Sequence, residues 1–485
     1  MVLFGDFKFF MPELYLVGAF CILFTVLVVI AALNNPIYKA VWEIGALLTG
    51  LILIFYNYLL FNQISFDYSI FYGAIQSTSL IAISKIFITF CFILLLPFSR
   101  FYFKTGEFYQ YEFYLLSLLS FLGVITMISA SNFLVMYLGL ELQSLAVYVL
   151  TAIRRSSVLS TEAGLRYFLL GSLASGFLLF GIALLYGLTG SIAFTDYIFL
   201  FTGNTTIDPV PIQVAMVFIL GTLLFKLSAA PFHSWAPDVY QGAPTPVVAF
   251  IAILPKIAIV SLLIRFYNSF LFMLSGHWTT FFLIVTVISL VVGVLGGLYQ
   301  TSIKRMLAYS TITHVGFITF AFALHAHHAV LYYITIYALV NLGLFGLLML
   351  LRKVSDKGDF DHIPNFAVIG QTNPVIAYSL AIFLFSLAGL PPLAGFFAKY
   401  YIILYGIADH FIFLSFFALV ISTVGAFYYL RVIRVLFFES DLRWTHLYEL
   451  DVLTTSIVSF FVLFNIGFCF FTPYIFKVVR VCITI

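Results

Sequence analysis

Two stretches decide how this chain folds: FKLSAAPFHSWAPDVY, from Phe225 to Tyr240, and FSLAGLPPLAGFFAKY, from Phe385 to Tyr400. Each is an apolar run interrupted by proline, with Lys226 beside one interruption and Lys399 beside the other. They align at a displacement of 160 residues, which brings Phe225 onto Phe385, Leu227 onto Leu387, Pro231 onto Pro391 and Tyr240 onto Tyr400. Helix interiors rarely carry proline, which removes a hydrogen bond and clashes with the preceding turn. In a membrane such a break survives only where buried partners or water satisfy the freed backbone. Two equivalent broken helices in one chain mark a transporter built from repeated halves, with its site at the breaks. Plain packing is the alternative reading.

The rest of the chain places these breaks in a bilayer. Of 485 residues, 63% are hydrophobic and 8% charged, against roughly 25% charged in a soluble domain. The apolar runs are continuous and lack period-2 alternation, so they spell helices, not a barrel. A crossing needs about 20 apolar residues. The polar breaks then delimit fourteen spans: 14–33, 41–61, 79–97, 112–130, 132–152, 165–188, 212–236, 245–267, 280–299, 305–324, 329–350, 376–400, 411–438 and 453–478. The first run leads straight into further spans, so no cleavable signal is expected.

Basic residues test that count. The odd-numbered loops hold Lys39, Arg100, Lys104, Arg154, Arg155, Arg166, Lys304, Arg305, Arg352, Lys353, Lys357, Arg431, Arg434 and Arg443. The opposite side holds only Lys8, Arg265, Lys477 and Arg480. The positive-inside rule puts the odd loops in the matrix or cytoplasm and both termini on the other face. The two broken spans are five apart in order, an odd displacement, so the repeats are expected to be inverted. The division is 1–111 for three leading helices, 112–267 and 280–438 for the repeats, and 453–485 for a last helix. No soluble domain interrupts this all-α polytopic fold.

Charges inside spans carry the chemistry. Glu141, in FLVMYLGLELQSLAVYVL, is the one acid read as lying deep in a span. A charge there costs at least about 2.5–3.5 kcal/mol, so Glu141 is paired, protonated or lining a wet cavity. Lys226, Lys256 and Lys399 fall in spans 7, 8 and 12, with Lys256 following Pro255. Desolvation disfavours an ammonium and a nearby carboxylate restores it. A lysine held between those influences can take up and release a proton. The alternatives are snorkelling or static ion pairs. For Lys85 in span 3, snorkelling is the favoured reading. His314, in AYSTITHVGF, either passes protons between the lysines or is hydrogen-bonded glue. His233 and Asp238, in the first break, either gate water or cap the broken helix.

Other classes find little support. A net charge of +3 does not call for nucleic acid, and Cys21, Cys91, Cys469 and Cys482 are scattered packing residues. His325, His327 and His328 cluster at a loop, without an adjacent acid or cysteine to complete a metal site. There is no CxxC set, no P-loop and no haem pair, and Gly293, Gly296 and Gly297 read as close helix contacts. No cofactor is expected in this chain.

LELQSLAVYVL, STEAGLRYFLLGSLASGFLLFG, FKLSAAPFHSWAPDVYQGAPTPVVAF, KRMLAYSTITHVGF and FSLAGLPPLAGFFAKYY together resemble the NADH dehydrogenase subunit 2 family of respiratory complex I. The resemblance runs from about residue 110 to about 440 and is shared in part with multisubunit cation/proton antiporters. It implies a fourteen-helix fold with inverted repeats at spans 4–8 and 9–13. It also implies a proton path through Glu141, Lys226, Lys256, His314 and Lys399. Partners would be other membrane-arm subunits and the lipid bilayer, with no direct binding of NADH or quinone. The cycle expected from these residues opens a Glu141–Lys226 pair and sends the proton through water and His314 to Lys399. The 59 phenylalanines suggest an AT-rich genome, hence a mitochondrial inner membrane, with a bacterial inner membrane as the alternative. The rival functions are a sodium/proton antiporter, which would favour several carboxylates, and an inert structural subunit.

Overall fold

The computed structural model describes residues 6–7, 9–32, 38–64, 67–106, 110–197, 209–269, 275–352, 360–439 and 447–484. Lys8, Lys353, Lys357 and Arg443 lie outside the described residues, as do the side chains of Lys39, Arg480 and Cys482. The leading helices are α1 (Met11–Ala32), α2 (Tyr38–Phe61) and α3 (Ser79–Thr105). A small hairpin, β1 (Tyr68–Ile70) against β2 (Ile75–Ser77), precedes α3. The first repeat holds α4 (Glu112–Ser129), α5 (Phe133–Thr151), α6 (Val158–Thr189), α7 (Pro209–Leu227), α8 (Trp235–Gly242) and α9 (Thr245–Ser269). The second holds α10 (Ser275–Leu298), α11 (Ile303–Ala323), α12 (His327–Leu350), α13 (Pro374–Ala388), α14 (Ala394–Ala408) and α15 (Ile412–Phe438). The chain closes with α16 (Val452–Ile466) and α17 (Phe468–Thr484).

Among the described residues twelve helices are long and apolar enough to cross a membrane, or thirteen if α16 and α17, bent by 87° at their junction, count as one span. The apolar helices α13 and α14, 15 residues each, are the two halves of span 12. Helices dominate because lipid offers the backbone no partner, so each segment must satisfy its own amides. Several boundaries differ from the sequence reading. α3 runs through Pro97 to Thr105, and α6 starts at Val158. Span 14 turns by 87° at Gly467. The apolar run there has no polar punctuation, but glycine is the residue a helix holds least well after proline.

The two repeats match in detail. Asn132, at the N-cap of α5, bridges to Ala193 beyond α6, and Ser302, at the N-cap of α11, bridges to His362 beyond α12. Around the first bridge, the Phe133 and Phe194 amides donate to Ile192 and Ser131, each at 3.0 Å. Around the second, the Ile303 and Ile363 amides donate to Asp361 and Thr301 at 2.8 and 3.0 Å. The first two helices of each repeat touch through glycine. A Cβ on Gly123 would lie 2.4 Å from the Gln143 amide, and one on Gly293 would lie 2.4 Å from Thr313 Oγ1 and 2.7 Å from its amide. These counterparts are displaced by 169 or 170 residues.

At the breaks the displacement is 161, one more than the sequence alignment gives. The Ser228 and Ala229 amides donate to Phe225 and Leu224 at 2.9 Å, closing α7. The Gly389 and Leu390 amides donate to Ser386 and Phe385 at 3.0 and 3.2 Å, closing α13. Both are Schellman turns around a left-handed residue, Ser228 at φ 64 and Gly389 at φ 88. Phe225 therefore corresponds to Ser386, and its identity with Phe385 is a coincidence of side chains.

Candidate functional site

Each break satisfies its freed backbone differently. In the first, Trp235 Nε1 donates to the Phe225 carbonyl at 2.8 Å, and the Ala230 amide donates to Ser289 Oγ of α10 at 2.9 Å. In the second, the Gly395 amide donates to Ser386 Oγ at 3.1 Å, and Ser386 in turn donates to Asn465 of α16 at 2.8 Å. The first break thus leans on the second repeat, and the second break leans on the closing helix.

The relative exposures of Lys226, Lys256, His314 and Lys399 are 5%, 1%, 6% and 9%, so none of them snorkels. Among the described residues none of the three lysines meets a carboxylate within 4.0 Å, which argues against a static ion pair. Lys226, at the end of α7, donates to Tyr148 OH at 3.1 Å. Its ammonium lies 5.2 Å from the Tyr148 ring centre and 5.7 Å from that of Tyr167. Cation–π contacts contribute about 0.5–2 kcal/mol each, comparable with the about 2.5–3.5 kcal/mol cost of a mid-membrane charge. Such a balance leaves the charge tolerated but not locked.

The centre continues this line. Lys256 of α9 approaches Ser228 Oγ at 3.4 Å and Tyr337 OH at 3.5 Å, with its ammonium 5.5 Å from the Tyr337 ring. Tyr337 packs against His314 at 5.5 Å between ring centres. His314 Nδ1 shares a hydrogen bond with Tyr333 OH at 2.6 Å, and Nε2 lies 3.4 Å from Tyr429 OH. Tyr240, beyond the first break, lies within electrostatic reach of Tyr167 on one side and Tyr337 on the other, and its buried hydroxyl interacts with Thr311. His314 also lies within reach of both Lys399 and Lys256.

Lys399, one turn into α14, donates to the carbonyls of Leu387 and Ala388 at 3.1 and 2.8 Å. These oxygens end α13, where unsatisfied carbonyls concentrate partial negative charge. At the 161-residue displacement Leu387 is the counterpart of Lys226. Where one repeat sets a lysine side chain, the other sets a carbonyl that holds a lysine from across the break. Gly389 makes this possible, since a Cβ there would lie 3.0 Å from Lys399 Cδ.

Three sequence expectations change. Glu141 and Lys226 are not paired: Glu141 is half-buried and accepts from Ser144 Oγ at 3.4 Å, while Lys226 turns to Tyr148, two turns farther along α5. Glu141 lies between Leu138 and Leu145, both exposed. Asp238 does not cap α8, because Arg166 and Arg305 grip it, the latter at 3.4 Å. With Glu162 and Gln241 they line a polar cleft of about 300 Å³. His233 is half-buried beside this helix, within hydrogen-bond reach of the Pro231 backbone.

The third change concerns Lys85, which is 2% exposed and donates to Glu13 at 2.6 Å. Helix α1 starts at Met11, three residues before the span read from hydropathy, and that carries Glu13 inside. Glu141 is therefore not the only acid within a span. The tyrosines were also missed, because thirty of them are spread through the sequence without a spacing that singles out Tyr148, Tyr240, Tyr333 or Tyr337. Among the described residues no group of three or more His, Cys, Asp or Glu could hold a metal ion.

The family described as NADH:quinone oxidoreductase/Mrp antiporter, TM matches residues 130–428. NADH-quinone oxidoreductase subunit N of Ruthia magnifica is 34% identical over 465 residues, 94% of each chain. A chain of respiratory complex I from Thermus thermophilus superposes with a TM-score of 0.79 at 26% identity, covering 95% of this chain and 98% of that one. A chain of the Mrp complex from Dietzia shares the fold at a TM-score of 0.81, covering 97% of both chains at 18% identity. With more than half its length matched by the family and near full-length similarity to subunit N, the chain belongs to the NADH:quinone oxidoreductase/Mrp antiporter transmembrane family.

Proposed function

We propose that this chain is an antiporter-like, proton-translocating subunit of a respiratory NADH:quinone oxidoreductase. It moves protons across the membrane while electron transfer proceeds in other subunits. The observation that carries this reading is the set of buried lysines, Lys226, Lys256 and Lys399, none with a carboxylate within 4.0 Å among the described residues, with Lys256 against Ser228 and Tyr337 and His314 within electrostatic reach of both Lys256 and Lys399. Scaffolding would not need three lysines at mid-membrane without counter-ions. A sodium site would need oxygen donors where this line presents ammonium groups.

In this reading Glu141, beside the exposed Leu138 and Leu145, faces a neighbouring membrane-arm subunit and receives its charge signal. Its approach to Lys226 stabilises the ammonium, and its retreat sends the proton inward. Tyr148, Tyr240 and ordered water bring the proton to Lys256, and Tyr337 and His314 pass it towards Lys399. The mouth at Arg166, Asp238 and Arg305 opens on the positive-loop side, which we assign to uptake, with both termini on the release side. The phenylalanine-rich composition favours a mitochondrial inner membrane. The bacterial relatives favour the bacterial alternative. The chain carries no cofactor of its own and contacts neither NADH nor quinone.

A native gel of gently solubilised membranes, stained for NADH oxidation, tests the assembly. The chain is expected in a very large NADH-oxidising band, and migration in a smaller, redox-silent band would contradict the proposal. Within that band, Lys226→Met should abolish coupled pumping. Intact pumping would refute the path.

A further inference from the structure

The two helices that carry the last relay groups end side by side. His314 is on α11 and Lys399 on α14. Helix α11 closes with the His325 amide donating to Phe322 at 3.1 Å and the Ala326 amide to Ala321 at 3.0 Å. Helix α14 closes with the His410 amide donating to Ile407 at 3.2 Å and the Phe411 amide to Gly406 at 2.8 Å. Both are Schellman turns, and the left-handed position, usually glycine, is a histidine in each: His325 at φ 55 and His410 at φ 65. A non-glycine residue there costs on the order of 1–3 kcal/mol and persists where other interactions demand it.

The demand is visible at Tyr267, the buried end of α9, whose hydroxyl hydrogen-bonds to His325 Nδ1 and lies 3.3 Å from Nε2. His325 itself is exposed. The Tyr267 ring also packs on His327 at 4.5 Å. Asp409, exposed beside His410, lies within electrostatic reach of His325, and His328 within reach of His327. Arg265, on the same turn of α9, faces away and donates to the Ile128 and Ala130 carbonyls at 2.6 and 2.8 Å. Among the described residues the titratable groups around His325 are thus Tyr267, His327, His328, Asp409 and His410, all on the even-loop face.

We propose that this cluster is the proton-release site of the second repeat, with His325 as the terminal carrier and Tyr267 as its inner donor. The inference rests on the proton-carrying reading above and deepens it. His314 and Lys399 lie eleven and ten residues before His325 and Asp409, about 15–16 Å along their helices. Thr319, bonded to Thr286 at 2.9 Å, is the one polar side chain of α11 on the way. A proton arriving on the Tyr267 oxygen displaces the hydroxyl proton onto His325 Nδ1. The imidazolium then loses its Nε2 proton to bulk water, and the net transfer is one proton. Exchange with water resets the tautomer, which the exposed ring allows. Burial on its inner side holds the His325 imidazole below its ordinary value, with Asp409 acting in the opposite sense. The ring is therefore mostly neutral near pH 7 and free to accept. As release-side pH falls through its pKa, it fills and release slows.

The test is His325→Asn in the assembled complex, since asparagine tolerates left-handed backbone. A voltage dye reads NADH-driven membrane potential in vesicles, with and without added imidazole, against wild type in the same imidazole. The expected initial rate is about tenfold lower, less than the hundredfold or more of a sole carrier because Asp409 and His410 remain. Imidazole should restore it, and the slowing at acid release-side pH should vanish. Tyr267→Phe, which keeps the ring, should slow the rate without imidazole rescue. Wild-type rates in both variants would overturn the proposal. So would a slow His325→Asn variant with a wild-type pH profile and no rescue, which marks a structural role. If Lys399→Met also generates full potential, the failure lies with the proton-carrying reading itself.

Discussion

In the leading helices, Lys85 donates to the Glu13 carboxylate at 2.6 Å. At the first break, Lys226 is equally buried but meets a phenol at 3.1 Å and two aromatic rings. One residue type at one level of burial thus appears in two kinds of company. A buried ion pair holds both members charged, and removing one strands the other at a cost of about 3–5 kcal/mol. A lysine on hydroxyls, carbonyls and ring faces has partners that tolerate it in either protonation state. In the proposed reading this difference separates a fastening from a carrier, and it is set by the partners.

The largest effect that would break this comparison is on the fastening. Lys85→Met should leave Glu13 buried and alone, destabilise the subunit by about 3–5 kcal/mol, and deplete the assembled band on a native gel. Adding Glu13→Leu should restore most of it. Normal assembly of the single variant would mean the pair fastens nothing. Lys399→Met should do the reverse, leaving assembly intact while NADH-driven acidification in vesicles falls on the order of a hundredfold. Gly389→Ala sharpens the contrast at the second break. It forces a side chain into φ 88 and against Lys399, and should cost about 2 kcal/mol in thermal stability of the complex. An unchanged melting profile would mean the turn can relax away from Lys399. Tyr148→Phe should be the mildest. It keeps the ring and removes one hydrogen bond worth about 1 kcal/mol, slowing pumping about fivefold. Unaltered pumping would leave the phenol as packing.

Much of this architecture is written in hydropathy and proline. The spans, the two breaks and the buried lysines are all legible, because a charge or a proline in a twenty-residue apolar run is expensive and therefore conspicuous. What escaped was what costs little or looks ordinary. Glu13 hid at a helix start because hydropathy fixes span ends only to within a few residues. The tyrosines hid because a phenol is at home in an apolar segment, and only the fold shows which hydroxyls face a lysine. The carbonyls that hold Lys399 have no sequence signal, as every residue has one. Gly467 bends the last span without a polar residue to announce it. The 160-residue alignment missed the structural register by one because Tyr400 and Tyr401, like Pro391 and Pro392, are adjacent and identical.

Lys256 joins the two repeats, touching Ser228 of the first break and Tyr337 of the second repeat, so it tests the claim that unpaired buried lysines carry the protons. The measurement is the ratio of protons moved to NADH oxidised by vesicles bearing Lys256→Met, with an ionophore present in parallel to confirm electron transfer. The account predicts an assembled complex whose pumping collapses. A wild-type ratio in that variant would contradict it.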